Sequence, residues 1–287
     1  MKLFNTAILF FILTLNFLYP MEWPVTGGTI SKNFGYNDEG TPILGVNFRA
    51  ESAVNAAEQG ELLFYSEGND NASGLPPVLG AWLALDHSGG IIGIYSRMER
   101  DNPEIPDLVE KSAPLGMSGV SGWSEEKGVY FSLFDRKERR WINPAMIITP
   151  LPESRQTMTL SVKLRNNEGR LLDLAQARTV SQGRYTILVE AAQVFQGQNR
   201  NPLSPFRIIC SVNGTEIGRL NFETYSARDG VLMVYKNGLF PVKQIFSPYP
   251  AFELGDTGFT RGQVTMEVIA QDAEGNSRNV VYRFTVE

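Results

Sequence analysis

From Glu22 onward the chain alternates apolar and polar residues in short runs punctuated by glycine, and no long run carries the three-to-four-residue spacing of an amphipathic helix. The clearest run is GVYFSLFD, residues 128–135, where Tyr130, Ser132 and Phe134 alternate with Phe131, Leu133 and Asp135. RKERR, residues 136–140, reads as a solvated hairpin turn leading into a second short strand. AWLALDHSGGIIGIYSRM, residues 81–98, reads as two strands around a glycine turn that carries His87. The pattern changes character after LPESRQ, residues 151–156, which reads as a linker. MTLSVKL, GRYTILVEA, FRIICSVNGTEIG around Asn213-Gly214, and the closing QVTMEVIAQDAEGNSRNVVYRFTVE supply roughly seven short strands, as in a β-sandwich. The stretches 192–205 and 247–259 read as exposed loops. The expected fold class is therefore all-β, with antiparallel sheets in one domain over residues 22–152 and a sandwich over 153–287.

The first 21 residues stand apart: Met1-Lys2 precede LFNTAILFFILTLNFL, an apolar run short for a membrane span of about 20 residues and placed as in a secretory signal peptide. Export to the periplasm or cell envelope follows as the expectation, with membrane attachment only if that segment is retained. A net charge of −5 with scattered Lys and Arg argues against a nucleic-acid partner. One His and one Cys cannot supply three nitrogen or sulfur ligands to a catalytic zinc, and a single Cys210 excludes an intrachain disulfide. No glycine-rich phosphate loop and no G-x-S-x-G elbow is present. Carboxylates are plentiful, so an acid–base pair for hydrolysis stays open at this level. Asn71-Ala72-Ser73 matches a glycosylation triplet.

In order along the chain, WPV, FGY, GVNF, AVNAAEQG, LDHSGG, IYSRM, LGMSGVSG, YFSLFD and WINP together resemble the lysostaphin-like (LytM-type) zinc endopeptidases of bacterial peptidoglycan, over residues 23 to about 149. The resemblance implies an antiparallel β-fold of the endopeptidase type whose groove holds zinc and the wall peptide. It also implies where the ligands would be. The family's H-x-G-x-D motif falls on Ile43-Leu44-Gly45-Val46-Asn47, its H-x-H on Tyr130 and Ser132, and its Y-x-H on Tyr95-Ser96-Arg97. Every expected histidine is replaced. Ile43, Asn47, Tyr130 and Ser132 thus read as the positions of a lost zinc site, so no cofactor is expected. Asn47, Arg97, Tyr130 and Ser132 would floor the remaining cleft, with Trp123 near its rim. The last hairpin resembles those of bacterial immunoglobulin-like domains.

The function expected from this is a catalytically inactive relative that binds or regulates at the cell wall, its partner being peptidoglycan or a cell-wall hydrolase. Some members of the family lack metal ligands and activate separate wall amidases, as the resemblance implies. Two other readings remain at this stage: a hydrolase with atypical ligands in the same groove, and a structural envelope protein.

Overall fold

The computed structural model describes residues 21–68, 77–100, 104–124, 126–148, 156–195 and 201–287. Residues 1–20 of the expected leader, the glycosylation triplet and all but the last residue of the linker lie outside them, whereas Met21, the leader's expected last residue, packs against the first half's core. Among the described residues the protein is all-β apart from one short helix, Val242–Phe246, and two single 3₁₀ turns. The predicted hairpins form where the alternation placed them. Ala81–His87 pairs antiparallel with Ile91–Met98, and Gly128–Asp135 pairs with Ile91–Met98 on one side. On its other side Gly128–Asp135 takes Val46–Arg49 at its start and Arg140–Ile142 at its end. Leu83, Leu85, Tyr95, Phe131 and Leu133 all point inward and are fully buried. The charged turn is fixed by Asp135, whose Oδ1 accepts the backbone N–H groups of Lys137 and Glu138, each at 3.0 Å.

In the second half, a four-stranded sheet packs against strands of the large one. Its order is Leu171–Asp173, Gln156–Asn166, Gly183–Phe195, Phe252–Phe259. The facing strands are Arg207–Val212, Thr215–Arg228, Gly262–Gln271 and Ser277–Val286, with Thr179–Val180 added in parallel at the edge. Val162, Leu164, Ile187 and Val189 meet Ile208, Leu220, Met266, Val268 and Phe284 between the layers. The Asn213-Gly214 turn has the left-handed φ values, +49° and +80°, that a two-residue hairpin needs.

The two halves are joined by backbone and by core. Arg140–Ile142 pairs with Thr224–Ser226, so one 15-stranded sheet runs through both. Asn33 exchanges two hydrogen bonds with the Ser204 backbone, at 2.9 and 2.7 Å, and Asn143 Nδ2 donates to Phe222 O at 2.8 Å. Phe34 enters the second half's core, its ring 5.0 Å from that of Tyr225.

Three sequence expectations are corrected here. The 192–205 stretch is no open loop at its ends: Gly183–Phe195 continues into it, Gln193 and Leu203 exchange backbone hydrogen bonds, and Leu203 is buried in the first half's core, while residues 196–200 lie outside the described residues. Residues 247–259 contain the strand Phe252–Phe259, whose alternation is broken by a bulge beside Gly255, at φ +155°. His87 is the last residue of its strand and not a turn residue. It is 3% exposed, with Nδ1 3.0 Å from Gln59 O and Nε2 3.4 Å from the Tyr95 hydroxyl.

That burial has a pH consequence. Desolvation pulls the His87 pKa below the ordinary 6.5, outweighing its contact with the Gln59 carbonyl and the nearby carboxylates. Between the folded and unfolded pKa values the unfolded chain holds more protons, so stability declines as pH falls below about 6.5. Urea unfolding at pH 7 and pH 5.5 is expected to show a loss that His87→Asn, itself less stable at pH 7, largely removes. An equal loss in both proteins would show that His87 is not its source.

Candidate functional site

The site is built from the outward face of the sheet. On Gly128–Asp135, Val129, Phe131 and Leu133 turn into the core, which leaves Tyr130 on the opposite face. Tyr130 lies across from Asn47 on one neighbouring strand and Ser96 on the other. Arg97, the next residue after Ser96, sits at a bulge: Trp82 faces Ser96 and Ala81 faces Met98, so Arg97 has no partner across the ladder. Its φ is +66°, a conformation that costs a non-glycine residue about 1–3 kcal/mol. The bulge carries the guanidinium over the sheet. Arg97 Nη1 donates to Asn47 Oδ1 at 3.0 Å, and the guanidinium carbon lies 5.5 Å from the centre of the Tyr130 ring.

Three of the sequence-predicted residues therefore converge on one another. Asn47 is 7% exposed and lines a cavity of about 340 Å³ with Lys32, Asp38, Ile43, Arg97 and Trp123. Trp123 also lines it and is 62% exposed. Asn201 reaches the same cavity from the second half. Ser132 is corrected: it is 3% exposed and does not floor the cleft. The cause is Gly45, whose backbone lies so close over the strand that a β-carbon there would stand 2.8 Å from Ser132 Cβ and 2.9 Å from Tyr130 Cζ. Tyr130 is half-buried and not part of the cavity lining.

Electrostatically, Arg97 differs from its neighbours. Lys32 is paired with Asp38 at 2.8 Å, and Arg49 with Glu126, through Nε and Oε2 at 2.7 Å and a second contact. Arg97 makes no ion pair with any described carboxylate. Burial draws its pKa down, opposed by Tyr130 and Asp38, yet a guanidinium stays charged at physiological pH. Burial pushes the Tyr130 phenol up to about 12, although Arg97, the Leu44 backbone and the Ser132 hydroxyl pull the other way. The phenol keeps its proton.

These residues do not fit the zinc that the family resemblance implies. Ile43 has no donor atom, the Asn47 oxygen is taken by Arg97, Ser132 is sealed beneath Gly45, and the Tyr130 phenol is neutral. Among the described residues no three His, Cys, Asp or Glu side chains cluster so as to hold a metal. Other chemistry is equally unsupported. His87 is committed inside the core, and burial raises the Cys210 thiol to about 12, far from a reactive thiolate. Asp38 and Glu126 are each bound to a cation, and Arg49 holds Glu126 below the usual carboxylate range, the opposite of a general acid. What the arrangement presents is a positive charge lining an open cavity with an indole beside it. Sequence reasoning missed the Lys32–Asp38 and Arg49–Glu126 pairs, and in the second the partners lie 77 residues apart.

No curated protein sequence matches the chain. A protein-family model matches residues 156–287. Among solved structures, the chain is similar to a point mutant of the catalytic domain of the prophage-encoded M23 protein EnpA from Enterococcus faecalis, at 19% identity over 42% of this chain and 94% of that one, TM-score 0.35. It is similar to lysostaphin in solution, at 17% identity over 84% of this chain and 98% of that one, TM-score 0.37. A third is the SpoIIQ–SpoIIIAH pore-forming complex, at 18% identity over 40% of this chain and 84% of that one, TM-score 0.33. The similar structures thus include M23 peptidases and a member of a protein–protein complex, and at such identities and scores none of their chemistry transfers to Arg97, Asn47 or Tyr130.

Proposed function

We propose that this is an exported, catalytically inactive protein of the peptidase fold that binds at the bacterial cell wall, with peptidoglycan or a cell-wall hydrolase as its partner. The proposal includes a leader over residues 1–21, a degenerate peptidase-like domain over 22–152, an immunoglobulin-like sandwich over 153–287, and no metal cofactor. Periplasm or envelope is the proposed location. Among the described residues no helix is long and apolar enough to cross a membrane.

One observation carries the reading: Arg97, held by Asn47 and stacked on Tyr130, faces a cavity rimmed by Trp123. Of the positions singled out by the resemblance, Asn47 and Tyr130 both hold Arg97, while a space for a guest remains beside them. A purely structural envelope protein has no need of a strained, half-buried cation at such a place. A hydrolase needs a nucleophile, a base or a metal, and among the described residues of the cavity the carboxylates Asp38 and Glu126 are each paired with a cation.

The test is co-sedimentation of the purified protein with isolated peptidoglycan. Wild type is expected in the pellet, with an Arg97→Ala, Tyr130→Ala double variant reduced about ten-fold or more, since the loss removes charge-assisted hydrogen bonding and ring contact together. Equal sedimentation of the two proteins would favour the structural reading, and no sedimentation of either would remove peptidoglycan as the partner.

A further inference from the structure

We propose that the cavity beside Arg97 is a carboxylate site, and that the ligand it takes is the free C-terminal carboxylate of a short peptide. This rests on the wall-binding reading for the source of the peptide, while the chemistry of the site stands on its own side chains.

The charge balance of the walls comes first. Asp38 and Glu126 would repel an anion, but Lys32 and Arg49 neutralise them in place. Arg97 is left as the cation without a carboxylate partner among the described residues, held by a neutral amide where Asp would have cancelled it. A half-buried guanidinium whose side-chain partners among the described residues are an amide oxygen and an aromatic face keeps most of its five N–H donors for an anion. Asn47 adds to these: with Oδ1 accepting from Arg97, its NH₂ has no partner among the described residues and belongs to a side chain that lines the cavity. Two donor groups held by one hydrogen bond, fixed at a bulge, form a fork for a planar anion.

Size and rim select the rest of the ligand. About 340 Å³ lies at the low end of small-ligand sites, which run from roughly 300 to 1,000 Å³, so the end of a peptide fits and a folded domain does not. Trp123, 62% exposed, presents an apolar surface to whatever follows the carboxylate. Amide or ester ends lack the charge and would leave Arg97 unmatched.

N-acetyl-Ala-Ala with a free C-terminus and the same compound as its C-terminal amide, each titrated calorimetrically into the full chain, test the proposal. The acid is expected to bind about ten-fold or more tighter than the amide, and acetate in excess to compete with it. Arg97→Gln should erase the preference, while Arg97→Lys, which keeps the charge but not the fork, should retain part of it. Circular dichroism establishes that both variants are folded. Equal binding of acid and amide, a preference that survives in Arg97→Gln, or no binding of the acid at millimolar concentration would each overturn it. A clear acid preference in a protein that ignores peptidoglycan would sink the wall-binding reading and leave the carboxylate site standing. Peptidoglycan binding without an acid preference would do the reverse.

Discussion

Phe222→Ala is expected to destabilise the protein by about 3–5 kcal/mol, the usual cost of removing a buried phenylalanine. Phe222 is fully buried, with ring contacts to Phe246 at 6.1 Å and Phe252 at 5.2 Å, and its strand carries the carbonyl that receives Asn143 from the first half. Gly35, at φ +78°, presses against the same ring from the first half, so the cavity left behind opens at the joint between the halves. The chain offers an internal reporter of what that does. Its four tryptophans, Trp23, Trp82, Trp123 and Trp141, lie in the first half, only Trp23 among them packing against that half's core and Trp141 packing against the second half's, whereas Phe222 lies in the second. Denaturant unfolding followed by tryptophan fluorescence is expected to shift to lower midpoint in Phe222→Ala, together with the transition seen by circular dichroism. A fluorescence midpoint that stays put would mean that the halves unfold independently and that the shared sheet contributes little to their cooperativity.

Much of this architecture was legible in the residues. Val264, Met266, Val268 and Ala270 alternate in the sequence and are all buried in the fold, because a strand with one covered face imposes a period of two. Asn213-Gly214 announced its hairpin for a conformational reason, since few residue pairs tolerate two left-handed positions in a row. FELGDTGF failed as a strand signal because the bulge near Gly255 shifts register in mid-strand, and a shifted register looks like no register. His87 sat beside Ser88-Gly89-Gly90 and looked like part of the turn. Only Gly60 and Gly93, which leave room against both sides of its ring, reveal that it is packed inside.

The site was legible in part. Position by position, the resemblance singled out Asn47, Arg97 and Tyr130, and the fold brings these three together. It placed Ser132 in the open, because nothing in a strand pattern tells that the backbone of Gly45 will lie on top of it. Nor does sequence show that Asn47 and Arg97, 50 residues apart, satisfy each other. The bulge at Arg97 is equally silent, since it depends on a mismatch between two strands.

The second large expectation concerns catalysis. A metalloendopeptidase needs zinc on three protein ligands with a water in the fourth position, and the positions that the resemblance implies carry a hydrocarbon, an amide oxygen already used, a neutral phenol and a covered hydroxyl. The sole histidine and sole cysteine of the chain lie in cores, engaged or unreactive. Without such a site there is no activated water, so under the proposed reading the expected rate is lower by many orders of magnitude and not modestly reduced. The most direct measurement is incubation of the purified protein with peptidoglycan in zinc-containing buffer, followed by metal content per chain and release of soluble wall fragments. Substoichiometric zinc and no release above buffer are expected. One zinc per chain together with chelator-sensitive release of fragments would contradict catalytic inactivity.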